Sequence, residues 1–249
     1  MTNNMFFIAN WKMFGDLKSV NSIKKVIKIS KNKKYKKAQI IYCPPFTLID
    51  KFIRLAKNSK INIGAQNCHY SEKPGPFTGS INAELIKSIG AKYLIVGHSE
   101  NRATGDSNKN INMKIKSALK KKLKIIFCIG ETLKERKFNK TNFVLNSQIV
   151  NGLKNIKKNN NIIFAYEPVW SIGTGVIPRT NQLKSQVLLI KKMIHKFWKL
   201  ENPKIIYGGS VNPENIVQLK KITSINGFLI GGASQNAKNF IDIIKKTIN

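Results

Sequence analysis

Eight short, β-branched runs punctuate the chain, at positions 6–10, 39–43, 61–65, 93–97, 124–129, 162–166, 204–207 and 227–230. Their apolar residues are nearly continuous. A strand with one wet face alternates apolar and polar residues, so continuous runs point to parallel strands covered on both faces. Turn residues and then a helical pattern follow the runs. Ile111, Ile115, Ala118 and Leu119 fall on one helical face, as do Leu183, Val187, Ile190 and Ile194 behind a Thr180 cap. Eight such units in 249 residues predict an α/β chain, folded over 1–249 as a single closed (β/α)8 barrel domain. A doubly wound open sheet is the competing architecture, but no Gly-x-Gly-x-x-Gly follows the first run to support it. No linker or low-complexity tract divides the chain, and the lysine-rich stretch 31–37 reads as a solvated helix end and loop.

Composition excludes several classes. Hydrophobic residues at 42% and aromatics at 9% belong to a globular chain, not a disordered one. No apolar run reaches the length of a membrane-spanning helix. The start, Met1-Thr2-Asn3-Asn4-Met5-Phe6-Phe7-Ile8, lacks the basic region of a signal peptide. Cys43, Cys68 and Cys128 are odd in number and far apart, forming neither a disulfide framework nor a metal-spaced set. A cytoplasmic location and no metal are therefore expected. The formal net charge of +32 raises nucleic acid as a partner. Against it, only Arg54, Arg102, Arg136 and Arg179 are arginines, and the lysines are scattered, as at Lys24-Lys25 and Lys191-Lys192. Lys, Asn and Ile share adenine/thymine-rich codons, so the charge reads as codon bias on solvated helix faces. Nucleic acid is not the expected partner, although a whole-molecule positive field attracts small anions.

In a parallel barrel, function gathers at the carboxyl ends of the strands. The first run ends in Asn10-Trp11-Lys12, the fourth in Gly97-His98-Ser99-Glu100, and the sixth leads directly into Glu167. Partial burial at that position would raise the basicity of Glu167. A helical turn opening at 99–102 would aim N–H groups at His98 and disfavour its imidazolium, leaving a neutral ring able to donate a hydrogen bond. His69 and His195 lack this setting. The seventh and eighth runs end in Gly208-Gly209-Ser210 and Gly231-Gly232, where backbone N–H groups can approach a phosphate closely.

These residues resemble the triosephosphate isomerase family, whose members are TIM barrels. The matching segments are Ala9-Asn10-Trp11-Lys12-Met13, Gly64-Ala65-Gln66-Asn67, Phe77-Thr78-Gly79, Val96-Gly97-His98-Ser99-Glu100, Ala165-Tyr166-Glu167-Pro168-Val169-Trp170, Ile172-Gly173-Thr174-Gly175, Tyr207-Gly208-Gly209-Ser210-Val211-Asn212 and Ile230-Gly231-Gly232-Ala233-Ser234. They stand in family order and cover essentially the whole chain. The resemblance implies interconversion of dihydroxyacetone phosphate and D-glyceraldehyde 3-phosphate without metal or organic cofactor. Glu167 would be the base, neutral His98 the electrophile, Lys12 and Asn10 the stabilisers of developing negative charge, and Glu100 a support beside Lys12. N–H groups of Gly173, Ser210, Gly231 and Gly232 would hold the phosphate. Pro168, Val169 and Trp170 would form one hinge of a lid, Ser171 to Gly175 (with Ile172, Gly173 and Thr174) its body, and Val176, Ile177 and Pro178 the far hinge, with Tyr207 as an anchor. The enzyme would be a cytoplasmic homodimer, with Phe77, Thr78 and Gly79 in the loop that enters the partner subunit.

Several positions depart from the family pattern. Phe14 stands where Asn is frequent. The loop 72–80 is one residue longer and richer in proline, while the segment 103–106 is one residue shorter and carries Asp106 for the usual Glu. Ser80 and Asn101 replace an acid and an arginine that pair across the family's interface. A dimer lacking that ion pair is expected, with no orphan charge left behind. Pro178 has no N–H to offer Tyr207, so closure would lean on Ser210 bonding the Gly175 N–H, and Tyr207→Phe would lose less than tenfold in kcat/KM. Another sugar-phosphate barrel enzyme, or a basic polyanion-binding barrel, is the alternative reading.

Overall fold

The computed structural model describes residues 4–249; the Met1-Thr2-Asn3 part of the signal-peptide argument lies outside the described residues. Eight strands form one closed barrel in sequence order. They are β1 (Met5–Asn10), β2 (Ala38–Cys43), β3 (Asn62–Ala65), β4 (Tyr93–Val96), β5 (Lys124–Ile129), β6 (Ile162–Tyr166), β7 (Lys204–Tyr207) and β8 (Gly227–Ile230). Neighbours pair in parallel, and β1 closes the ring on β8 from Phe6↔Gly227 to Ala9↔Ile230.

Successive residues of each strand alternate between two dry environments. Ile8, Ile41, Ile95, Ile126, Ile206 and Leu229 fill the barrel interior. Phe7, Ile40, Leu94, Ile125, Phe164 and Ile205 face outward into the layer shared with the helices. Burying a side chain of this size contributes about 1.5–3 kcal/mol, and the demand for it on both faces explains the unbroken apolar runs. The packed interior leaves chemistry to the ends of the strands.

The helix Asn108–Lys120 buries Ile111, Ile115 and Ala118, with Ser107 capping its first turn. The helix Thr180–Trp198 buries Leu183, Val187, Ile190 and Ile194, as the spacing predicts. Its start corrects the sequence reading. Arg179, not Thr180, is the N-cap, and no side chain caps the turn. Thr180 is already the first helical residue, and its hydroxyl accepts instead from Gln218 Nε2 at 3.3 Å.

β4 stops at Val96 rather than at position 97 because Gly97 has φ +74°, outside the extended region. That turn carries the chain into His98. Half-buried Arg102 then ties the corner down, donating from Nε to the Gly97 carbonyl at 2.8 Å and from Nη2 to the Cys128 carbonyl of β5 at 3.2 Å. Among the described residues, no helix is long and apolar enough to cross a membrane.

Candidate active site

One cavity of about 180 Å³ opens at the carboxyl mouth of the barrel, lined by Asn10, Lys12, His98, Glu167, Ile172, Gly173, Ser210, Gly231 and Gly232, among others. Strand ends β1, β4, β6, β7 and β8 therefore converge as the sequence predicts. The volume is smaller than the roughly 300–1,000 Å³ of drug-sized pockets, which suits a substrate of a few carbons. A larger depression of about 890 Å³ lies at the opposite mouth, bordered by Lys124, Lys191 and Lys204. It has neither an imidazole nor a buried carboxylate, so the chemistry belongs to the smaller cavity.

Lys12 reaches the cavity from an unusual backbone. Its φ is +54°, a left-handed conformation that a non-glycine residue holds only when its surroundings enforce it. Here the Lys12 N–H donates to Asn10 Oδ1 at 3.1 Å, and the Lys12 carbonyl accepts from Gln66 Nε2 at 2.8 Å. Gln66 also donates to the Cys43 carbonyl at 2.8 Å, which locks the loop to β2. The Lys12 ammonium meets Glu100 Oε1 at 2.6 Å. Glu100 does not line the cavity; it fixes the ammonium from outside.

His98 is buried. The N–H of Glu100, at the start of the helix Ser99–Ala103, donates to His98 Nδ1 at 3.3 Å. That contact makes Nδ1 an acceptor and leaves Nε2 as the nitrogen that carries a proton. Glu100 Oε2 also lies 3.6 Å from Nδ1, but the backbone donor already occupies that nitrogen. His98 Nε2 lies 3.4 Å from Glu167 Oε1.

Glu167 is 1% exposed. Its Oε2 accepts from the Ser99 N–H at 3.3 Å, and Oε1 has no hydrogen-bond partner. Burial is the largest influence on its pKa and raises it above the usual carboxylate value, with His98, Cys128 and the Ser99 N–H pulling the other way. The outcome is a strengthened base with one oxygen uncommitted. Gly208 makes room for it, since a Cβ there would lie 2.8 Å from Glu167 Cγ.

The lid residues occupy less uniform settings. Ile172 and Gly173 line the cavity, whereas Thr174, Gly175 and Val176 are exposed and Ile177 half-buried. The Ser210 N–H, expected on phosphate, donates to the Ser171 carbonyl at 3.1 Å. A phosphate would have to take that N–H from the carbonyl. The Ser210–Gly175 bond expected of a closed lid is not formed among the described residues. Tyr207 has a partner that sequence reasoning missed: its hydroxyl lies 2.8 Å from Ser171 Oγ. Glu131 was missed as well. It is fully buried after β5 and accepts from Trp170 Nε1 at 3.1 Å and from Tyr166 Oη at 3.2 Å. The Val169 N–H donates to its carbonyl at 3.0 Å, so Glu131 ties down the segment expected to form the near hinge. An acid two residues beyond a strand end was the available signal, close to the one that marks Glu167.

The remaining candidates lie away from the cavity. Phe77, Thr78 and Gly79 form an exposed tip. Asp106 holds buried Lys114 at 2.6 Å, and Asn67 Oδ1 accepts from the same ammonium at 3.0 Å. His69 stacks between Tyr70 and Phe77, with ring centroids 4.3 and 4.4 Å away. His195 stands on a helix, 3.8 Å from Glu201.

A buried carboxylate of raised pKa facing an imidazole, at the glycine-lined mouth of a parallel barrel, defines a class: barrel enzymes that move protons on small phosphorylated substrates. A family model described as triosephosphate isomerase matches residues 5–247. The triosephosphate isomerase of Dictyoglomus thermophilum is 41% identical over 244 residues, covering 95% of this chain and 97% of that protein. That of Thermodesulfovibrio yellowstonii is 38% identical, covering 96% and 98%. The crystal structure of triosephosphate isomerase from Bartonella henselae superposes with a TM-score of 0.88 at 33% identity, covering 98% of both chains. The chain belongs to the triosephosphate isomerase family.

Proposed function

We propose that the chain interconverts dihydroxyacetone phosphate and D-glyceraldehyde 3-phosphate by proton transfer through an enediol(ate). The observation that carries this reading is the uncommitted Oε1 of a buried, strengthened Glu167 beside His98 Nε2 in one small cavity. Glu167 takes a proton from the carbon next to the carbonyl. His98 donates its Nε2–H to the carbonyl oxygen, which gains the electron pair released at carbon. The Lys12 ammonium, pinned by Glu100, and the Asn10 amide stabilise the negative charge that develops there. His98 Nε2 then regains a proton from the other enediol oxygen, which becomes the new carbonyl, while Glu167 returns its proton to the neighbouring carbon; every proton is accounted for, so the reaction needs no redox partner, metal or organic cofactor. Gly173, Ser210, Gly231 and Gly232 offer N–H groups to the phosphate, and the lid keeps out water that would favour its loss.

A homodimer in the cytoplasm fits the same reading. Met13 is 94% exposed and Phe14 57%, apolar surface beside the catalytic Lys12 that a partner subunit would cover. The three cysteines are free and buried, which suits a reducing compartment. A coupled isomerase assay on the purified protein tests the proposed activity: robust turnover of triose phosphates supports it, and none overturns it.

A further inference from the structure

Both ends of the lid meet at one hydroxyl. Ser171 closes the 3₁₀ turn Val169–Ser171 and is fully buried. Its Oγ lies 2.6 Å from the Val176 carbonyl oxygen and 2.8 Å from the Tyr207 hydroxyl. A carbonyl can only accept, so the serine proton goes to Val176 and the Tyr207 hydroxyl donates to Ser171. One side chain thus joins the residue before the lid tip to the residue after it, and both to β7. Two further observations agree. A Cβ at Gly209 would collide with the Tyr207 hydroxyl and stand 2.6 Å from Ser171 Oγ, so the loop after β7 is shaped around this hydroxyl pair. Pro178, in the far hinge, is buried and has no N–H, so the hinge offers Tyr207 no donor at that point.

We propose that Ser171 is a positioning residue for the isomerisation. Its hydroxyl is the pivot that keeps the two lid ends paired on Tyr207 while Gly173 to Gly175 move over the substrate phosphate. It does the work of the N–H that Pro178 lacks. The inference rests on the isomerase reading, and Ser171 touches no reacting atom. Without the pivot the ends separate, closure becomes less frequent, and the enediolate spends longer exposed to water. Its electrons can then expel phosphate: the carbon–oxygen bond breaks, inorganic phosphate leaves with that electron pair, and an unsaturated carbonyl compound remains.

The test compares wild type, Ser171→Ala, Tyr207→Phe and the double variant, reading kcat, KM, melting temperature and inorganic phosphate released per isomerisation. Each single variant is expected to lose about two- to tenfold in kcat/KM, the worth of one buried hydrogen bond. Phosphate release per turnover should rise in both. The double variant should be no worse than Ser171→Ala, because that substitution already removes the bond that Tyr207→Phe removes. Unchanged phosphate release in Ser171→Ala, whatever its melting temperature, overturns the pivot, and so do losses that add in the double variant. Wild type inactive on triose phosphates overturns the isomerase reading and the pivot with it, whereas an active wild type beside an unaltered Ser171→Ala overturns the pivot alone.

Discussion

Gly208→Ala places a single methyl group against the proposed base. The new Cβ would stand 2.8 Å from Glu167 Cγ and 3.3 Å from Oε1, while its contact with Leu229 Cβ, at 3.5 Å, is ordinary. Non-bonded carbons rest about 3.5–4.0 Å apart, so relief requires a shift of roughly 1 Å. Glu167 is enclosed and cannot swing into solvent, so the shift falls on the carboxylate itself. A misplacement of about 1 Å at a reacting group lowers rates roughly 100-fold. The N–H groups of Ser210, Gly231 and Gly232 meet no such contact. Steady-state kinetics should therefore show kcat/KM down by about two orders of magnitude, while inorganic phosphate inhibits competitively with an inhibition constant within about twofold of wild type. A kcat/KM within tenfold of wild type, or phosphate inhibition weakened in proportion to the rate, would refute the reasoning.

Two other predictions concern stability and assembly. Burial raises the Glu167 pKa in the folded chain, so this group favours the fold below its unfolded pKa, and that contribution is lost as pH rises through the folded value. Ionised Glu167 thus works against stability near neutral pH. Glu167→Gln should melt above wild type near pH 7, with the gap narrowing toward about pH 4; a gap that widens on acidification contradicts this. In sedimentation at micromolar concentration the protein should run as two chains, and with Ser80 and Asn101 both neutral the dimer should not weaken at raised salt. A monomer would contradict the proposed assembly.

The barrel was legible because its strands are dry on both faces, and an apolar run of that kind has few other destinations. The proposed reacting groups stand out in the sequence because each lies within two residues of a strand end: Lys12 after β1, His98 after β4, Glu167 after β6. The supports were harder to see, since they act through atoms that sequence does not distinguish. Gln66 works by giving one amide nitrogen to two carbonyls. Arg102 reads in the sequence only as part of the turn behind His98, and its guanidinium is found bonded to two strand ends. Ser171 reads in the sequence only as the first residue of the lid, and only the distance to Tyr207 shows where its hydroxyl is held. The Thr180 cap failed by one residue, because pattern locates a helix better than it locates the turn that starts it.

The central claim is that one buried carboxylate moves the proton. Its direct test is the coupled isomerase assay on wild type and Glu167→Gln side by side. Glutamine keeps the shape but cannot accept the proton, so kcat should fall by about 10²–10⁴-fold, with KM little changed because the phosphate contacts lie elsewhere. Turnover in Glu167→Gln equal to that of wild type would contradict the account.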